Sequence, residues 1–253
     1  TAFLRGKGDG RKLGLEPPRE MREQMGLKPG EIVSLEGGAY GRIDGPYLWY
    51  KEFTRVMLNH GFTQSPMDPC VYALPKSQGG THGILGMHVD DGIGGGDSYF
   101  HRILDKIAAI FPFGAYREKD FIFTGIQFHQ EADGSIRYDQ TEYVQEIQPI
   151  HIPRDRRKTP DAEITEDERK KLRGLNGSLS YAGIHSRPEL CAKIGRLQTE
   201  VNRAKISTLL NANKVLHEAK QYQNTFILVP ALPIDQVTYC GFHDASFATK
   251  VGE

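Results

Sequence analysis

The sequence predicts an α+β fold in which paired strands come first and helices follow. Three observations carry this reading. Between residues 61 and 139, short apolar runs are broken by glycines and by Asp-Gly dipeptides, the pattern of β-hairpins. From residue 140 onward, apolar residues recur at helical spacing behind Ser/Thr-x-x-Glu capping boxes. Residues 237–244, VTYCGFHD, then return to a strand-like pattern.

Residues 1–36 are rich in Gly, Pro and charge; they read as a short helical start and loops, with the Pro29-Gly30 turn of LKPGEIVSL leading into a strand. In YLWYKEFTRVMLNH, Leu48, Phe53, Val56 and Met57 fall on one helical face, and Gly61 stops the run. MDPCVYAL is a turn into a strand. GILGMHVDDGIGGGD reads as strand, tight turn at Asp91-Gly92, and strand. Ser98 is the expected cap of a helix through Phe111, with Ile103, Ile107 and Ile110 inward. FIFTGIQFHQEADGSIRYDQ is expected to be a single hairpin turning at Asp133-Gly134, with a bulge at Gly125. Thr165-x-x-Glu168 and Ser186-x-x-Glu189 open two helices, the second carrying Leu190, Ile194, Leu197 and Val201 on one face. A further helix covers about residues 207–220.

The chain has 253 residues, 38% hydrophobic and 25% charged, enough for one large domain or two small ones with a real core. No apolar run approaches the roughly 18 residues of a membrane span, and the N-terminus has no signal-peptide core, so no membrane partner is expected. The absence of an initiating Met and the stop at KVGE suggest cuts through a longer protein. Net charge is zero, which argues mildly against a nucleic-acid binder. Its distribution does not: residues 151–220 hold fifteen Lys/Arg against nine Asp/Glu, an excess that suits either a solvated helical surface or a phosphate-binding one. Three cysteines without paired spacing argue against a disulfide framework or zinc site and for an intracellular setting. His60, His82, His101, His129, His151 and His185 show no ligand spacing, and no nucleophile elbow supports a hydrolase.

The sharpest chemistry lies in His88-Val89-Asp90-Asp91. Two adjacent carboxylates repel each other unless a cation sits between them. Such hard oxygen ligands suit Mg²⁺, which binds one or two carboxylates together with substrate phosphates. Gly92, Gly94, Gly95 and Gly96 follow, and would let a nucleic-acid backbone approach closely. Taken alone, Asp-Asp-Gly is more often an ordinary hairpin turn.

The surroundings change that weighting. His88-Val89-Asp90-Asp91 resembles the Tyr-Val-Asp-Asp of reverse transcriptases, and the order of the flanking segments resembles the copia-type retrotransposon family. Thr1-Ala2-Phe3-Leu4-x-Gly6 is similar to the end of that family's first palm motif, and Pro17-Pro18 to its Pro-Pro-Gly segment. Ala39-Tyr40-Gly41 through Pro46 with Trp49-Tyr50 resembles its Leu-Tyr-Gly-Leu-Lys-Gln-Ala-Pro-x-x-Trp-Tyr. Gly61-Phe62, Asp68-Pro69-Cys70-Val71-Tyr72, Phe123-Thr124-Gly125-Ile126, Gln140-x-x-Tyr143-Val144, Gly177-Ser178-Leu179-x-Tyr181-Ala182 and Ser186-Arg187-Pro188-Glu189-Leu190 follow in the family's order. Each piece is weak; together, in this order, they are specific.

The resemblance implies a right-hand polymerase: fingers and palm over 1–139, helical thumb and connection over 140–222, and the first strands of an RNase H-like domain over 223–253. It implies an RNA-directed DNA polymerase acting on dNTPs and on a primer paired with RNA or DNA. Two Mg²⁺ (or Mn²⁺) ions are expected in the complete enzyme, and a cytoplasmic particle or nucleus as its setting. Asp90 and Asp91 would be catalytic and metal-binding, and Phe3 would be the gate beneath the incoming sugar, expected close to the Asp90 hairpin. Val89 would touch the primer terminus, and Phe123, Thr124 and Gly125 would form the primer grip. Trp49 and Tyr50 read as packing residues. Asp244 would be the first ligand of an RNase H site that the remaining sequence cannot complete. His88 stands where the family has Tyr, and Arg42-Ile43-Asp44 replaces Leu-Lys-Gln, with Asp44 expected to repel a triphosphate. The first palm Asp would lie three residues before Thr1, so the chain alone is expected not to polymerise. The alternative is a degenerate or domesticated fragment that at most binds nucleic acid.

Overall fold

The computed structural model describes residues 13–35, 42–232 and 237–238. The chain is a mixed α/β protein of two compact units, residues 1–116 and 117–253. Among the described residues, no helix is long and apolar enough to cross a membrane.

In the first unit, β1 (Leu13–Leu15) and β2 (Val33–Leu35) form an antiparallel ribbon around α1 (Arg19–Met25). Gly26, at φ 67°, ends α1 with the left-handed residue that glycine supplies without cost. The helix α2 (Gly45–Asn59) follows, with Pro46 in its first turn and Leu48, Trp49, Phe53, Val56 and Met57 buried. Then comes an antiparallel meander: β3 (Thr63–Gln64), β4 (Val71–Pro75), β5 (Thr81–His88) and β6 (Asp91–Gly96), in that spatial order. The helix α3 (Ser98–Ile110) is capped by Asp97 rather than Ser98: its carboxylate accepts the Tyr99 and Phe100 N–H groups at 2.9 and 3.1 Å. An Asp directly before the first helical turn outcompetes a Ser inside it.

The register sorts the sheet's two faces. Tyr72, Leu85 and Gly94 stand in one row, and Leu74, Gly83 and Gly96 in the next. With Phe62 and the apolar stripes of α2 and α3, these rows form the unit's core. A methyl on Gly83 would sit 2.5 Å from the Phe100 ring, and one on Gly96 would meet the same ring at 2.5 Å. Gly83 of β5 and Gly96 of β6 thus let Phe100, itself fully buried, lie directly on the sheet backbone, while a methyl on Gly92 or Gly94 would meet Met87 or Leu85 and the β5 backbone. This corrects the expectation that the glycines of β6 serve close approach of a nucleic acid. Only Gly95 fits it: a methyl there would meet nothing within 4 Å. Its row, Thr63, Ala73, Ile84 and Gly95, lies on the opposite face, where Ile84 is exposed.

The second unit begins with β7 (Asp120–Phe123), β8 (Ile126–Gln130) and β9 (Ile136–Asp139). Two hairpins stand where one was expected. Phe123 pairs with Ile126 across Thr124 (φ 50°) and Gly125 (φ 77°), two consecutive left-handed residues that make a type I′ turn and not a bulge. The helices α4 (Thr141–Glu146), α5 (Arg154–Arg157), α6 (Glu166–His185), α7 (Cys191–Glu200) and α8 (Ile206–Gln221) follow, and β10 (Ile227–Val229) returns to pair with β9. The boundary expected at 139/140 therefore falls inside this unit, between β9 and α4.

Thr165 and Glu168 form the expected capping box on α6, and the Arg156 guanidinium holds the Glu168 carboxyl below its ordinary range. The second expected box does not form. Ser186 Oγ instead donates to Gln140 Oε1 at 2.9 Å, and Glu189 accepts from Arg187 Nε at 2.6 Å. Pro188–Leu190 is a 3₁₀ turn, and α7 starts only after it. Burial of Ser186 beside Gln140 removes its hydroxyl from capping. Leu172, Leu179, Leu190, Ile206, Leu209 and Leu216 are fully buried at the centre of a core of their own.

Candidate active site

Every residue of β5 from Gly83 to His88 pairs with a residue of β6, ending at His88 opposite Asp91. The turn is therefore Val89-Asp90, two residues earlier than the Asp91-Gly92 turn expected from the sequence. Val89 has φ 59° and Asp90 is not left-handed, the pattern of a type II′ turn. That turn favours Gly at its first position; a β-branched residue there is strained by about 1–3 kcal/mol. Inward burial of Leu85 and packing of Phe100 on Gly83 and Gly96 fix the register, because a one-residue slip would turn Leu85 out to solvent. Packing thus overrides the local preference of Asp-Gly for the turn.

The result is a rigid strand pair with two exposed carboxylates at its tip, Asp90 in the turn and Asp91 at the start of β6. His88 faces Asp91 across the closing pair. Among the described residues, no group of three or more His, Cys, Asp or Glu side chains is arranged to hold a metal. The tip thus offers a divalent cation two hard oxygen donors, which fits Mg²⁺, an ion that keeps water and substrate phosphates as its remaining ligands.

The tip is tied to the body of the unit by Trp49. Its indole Nε1 donates to the Val89 carbonyl at 2.8 Å. The ring packs 5.4 Å from Phe53 and edge-on, at 5.0 Å, to Phe111 at the end of α3. The sequence reading of Trp49 as a packing residue captured the burial and missed the hydrogen bond; no pattern in one sequence shows that an indole N–H will find a carbonyl forty positions away.

Asp44 sits at the N-terminus of α2, five residues before Trp49. Its carboxylate takes two bonds from Arg42, Nε at 2.5 Å and Nη2 at 2.9 Å. The Arg42 side chain is 8% exposed and that of Asp44 25%. A fork-to-fork pair of this kind offsets charge on the carboxylate that is expected to repel a triphosphate.

On β6's far end, Asp97 accepts from His82 Nδ1 at 2.8 Å, and Lys76 Nζ lies 3.6 Å away. The His82 hydrogen bond, helped by the Phe100 and Tyr99 amides, lowers the Asp97 carboxyl to about 2.

In the second unit, the Phe123-Thr124-Gly125 segment expected to grip a primer is the type I′ turn described above. Tyr181 Oη donates to the Thr124 carbonyl, and the Tyr143 and Tyr181 rings stand 3.9 and 4.0 Å from where a Gly125 side chain would begin. A depression of about 380 Å³ along α8 is lined by Ile152, Arg157, Leu210, Asn213, Lys214 and His217. It belongs to the basic 151–220 stretch. Phe3 and Asp244 lie outside the described residues.

A family model described as reverse transcriptase (RNA-dependent DNA polymerase) matches residues 1–151. No curated protein and no solved structure gives a significant match.

Proposed function

Because the chain belongs to the reverse transcriptase (RNA-dependent DNA polymerase) family, we propose that it is the nucleotidyl-transfer core of a copia-type retrotransposon enzyme, extending a primer on an RNA or DNA template. One observation carries the reading: the Asp90–Asp91 pair stands exposed at the tip of a hairpin whose register and turn are held by buried residues. Catalysis of phosphoryl transfer is mostly positioning and electrostatic stabilisation, so fixed carboxylates are what such a site must supply.

In this reading residues 1–139 are fingers and palm, and the helices within 140–222 are thumb and connection. Bound Mg²⁺ would lower the barrier by activating the primer 3′-oxygen and stabilising the pyrophosphate that leaves. Asp90 and Asp91 would hold the cation. Val89, exposed beside them, would touch the primer end. The open sheet row of Thr63, Ala73, Ile84 and Gly95 presents uncharged side chains, with Ile84 the one large apolar group, a surface along which a polynucleotide can lie. Arg157, Lys214 and His217 would contact phosphates, with an affinity that falls steeply as salt rises.

The test is Mg²⁺-dependent primer extension beside polynucleotide binding followed by fluorescence anisotropy. In a chain lengthened upstream of Thr1, Asp90→Asn and Asp91→Asn are each expected to lower extension by at least ~10²-fold while leaving binding intact. Extension unaffected by both substitutions would refute the assignment. Binding without any extension, even by a chain lengthened upstream of Thr1, would favour the second reading, a non-catalytic relative, for which Ile43 and Asp44 in place of the family's Lys-Gln are the supporting observation.

A further inference from the structure

We propose that Trp49 is a positioning residue: by holding the Val89 carbonyl, its indole N–H fixes the turn that presents Asp90 and Asp91 to a divalent cation. This rests on the cation-binding role proposed above for the two carboxylates.

The argument starts from the turn. Strand pairing fixes His88 and Asp91 and leaves the Val89–Asp90 peptide as the link whose orientation can change. Rotation of that peptide would swing the Asp90 side chain. Val89 occupies φ 59°, a region that a β-branched residue avoids and keeps only where its surroundings demand it. The carbonyl of this same peptide is the atom that Trp49 Nε1 holds at 2.8 Å.

The donor is itself immobile. Trp49 is 6% exposed, wedged between Phe53 of its own helix and Phe111 of the next. A buried indole N–H needs an acceptor, and the Val89 carbonyl supplies it. The hydrogen bond therefore couples the cores of α2 and α3 to the one flexible peptide at the site. An aromatic that merely filled space would serve equally well as Phe.

Trp49 is the only tryptophan in the chain, which makes the test clean. Biosynthetic replacement of tryptophan by L-3-benzothienylalanine keeps the bicyclic shape and deletes only the N–H donor. Mn²⁺ serves as the probe: free ion is counted by electron paramagnetic resonance, and thermal unfolding is followed in parallel. The unaltered chain should bind Mn²⁺ in a manner abolished by the Asp90→Asn/Asp91→Asn double substitution. Bound Mn²⁺ should also broaden the single indole N–H resonance. The analogue-bearing chain should remain folded and bind Mn²⁺ roughly five-fold more weakly, the effect of losing one net hydrogen bond from the binding-competent turn. Trp49→Phe should show the same weakening. An unchanged Mn²⁺ dissociation constant in the analogue-bearing chain, whatever its melting temperature, overturns the positioning role. Absence of carboxylate-dependent Mn²⁺ binding in the unaltered chain overturns instead the cation-binding reading, and with it this role. The two failures are therefore distinguishable.

Discussion

Replacing Gly83 by Ala should destabilise the first unit, whereas the same change at Gly95, one position along on the neighbouring strand and on the opposite face of the sheet, should not. The added Gly83 methyl would lie 2.5 Å from two Phe100 ring carbons and 2.7 Å from the Gly95 carbonyl oxygen. Ordinary carbon contacts begin near 3.5 Å, so an overlap of about 1 Å must be relieved. Phe100 is fully buried with Phe62 at 6.0 Å behind it, and the carbonyl is backbone, so neither yields easily. Overpacking of this kind costs about 1–3 kcal/mol, and the double clash places Gly83→Ala at the upper end. For a unit of this size, ~3 kcal/mol lowers the melting temperature by roughly 10–20 °C. At Gly95 a methyl meets nothing, and the stiffer unfolded chain makes the substitution neutral or stabilising by up to ~1 kcal/mol. Thermal unfolding monitored by Trp49 emission reports on this unit alone, because no other tryptophan exists. Equal melting temperatures for the two variants would refute the packing account of the glycine-rich strand. Polynucleotide binding completes the experiment: Gly95→Ala, on the open face, should weaken it without lowering stability.

Four further outcomes follow from the geometry. Val89→Gly should raise stability by ~1 kcal/mol in denaturant titration, since glycine removes the positive-φ strain at a modest entropic cost. Asp97, with its carboxyl lowered from 3.8 to about 2, contributes stability that is present above pH ~4 and lost as pH falls through about 2; in Asp97→Asn the urea midpoint should lose this part of its acid dependence. Thr165→Ala should cost the second unit about 1 kcal/mol by removing the cap of α6, read from helix-unfolding circular dichroism. Arg187→Lys should destabilise by about 1–3 kcal/mol in the same measurement, because a lysine cannot serve both Glu189 and the buried Ala219 carbonyl, which Arg187 Nη1 reaches at 2.8 Å.

Element types were largely legible in the sequence because they follow from periodicity. The stripes of Phe53, Val56 and Met57 and of Ile103 and Ile107 are buried as their spacing requires, whereas Ile110, expected inward in the last turn of α3, is exposed. Turns were less legible, because turn preference is local and register is not. Asp91-Gly92 is a sound hairpin signal in isolation, yet the burial of Leu85 and Phe100 moves the turn to Val89-Asp90. The sequence suggests a bulge at Gly125 because a β-branched residue before glycine hides a two-residue turn. At the site, the adjacent carboxylates were visible as a motif. Their support was not: the Trp49–Val89 bond and the Arg42–Asp44 fork depend on side chains meeting in space.

The sheet of the second unit has a consequence for the order in which the protein acquires structure during synthesis. In the first unit each strand of the meander pairs with its neighbour in sequence, so that sheet can assemble as the ribosome delivers it. The strand β10 behaves differently: Ile227 pairs with Tyr138, roughly ninety residues earlier, across all five intervening helices. Closing so long a loop is worthwhile only once those helices have packed and shortened the path between its ends. Until then β9 remains an open edge, exposing unpaired amide and carbonyl groups to any other nascent chain. A polypeptide arrested before residue 227 would carry that edge permanently. The three residues Ile227–Val229 thus act as a closing seam, and the interval before they emerge is when the second unit is most prone to mispair.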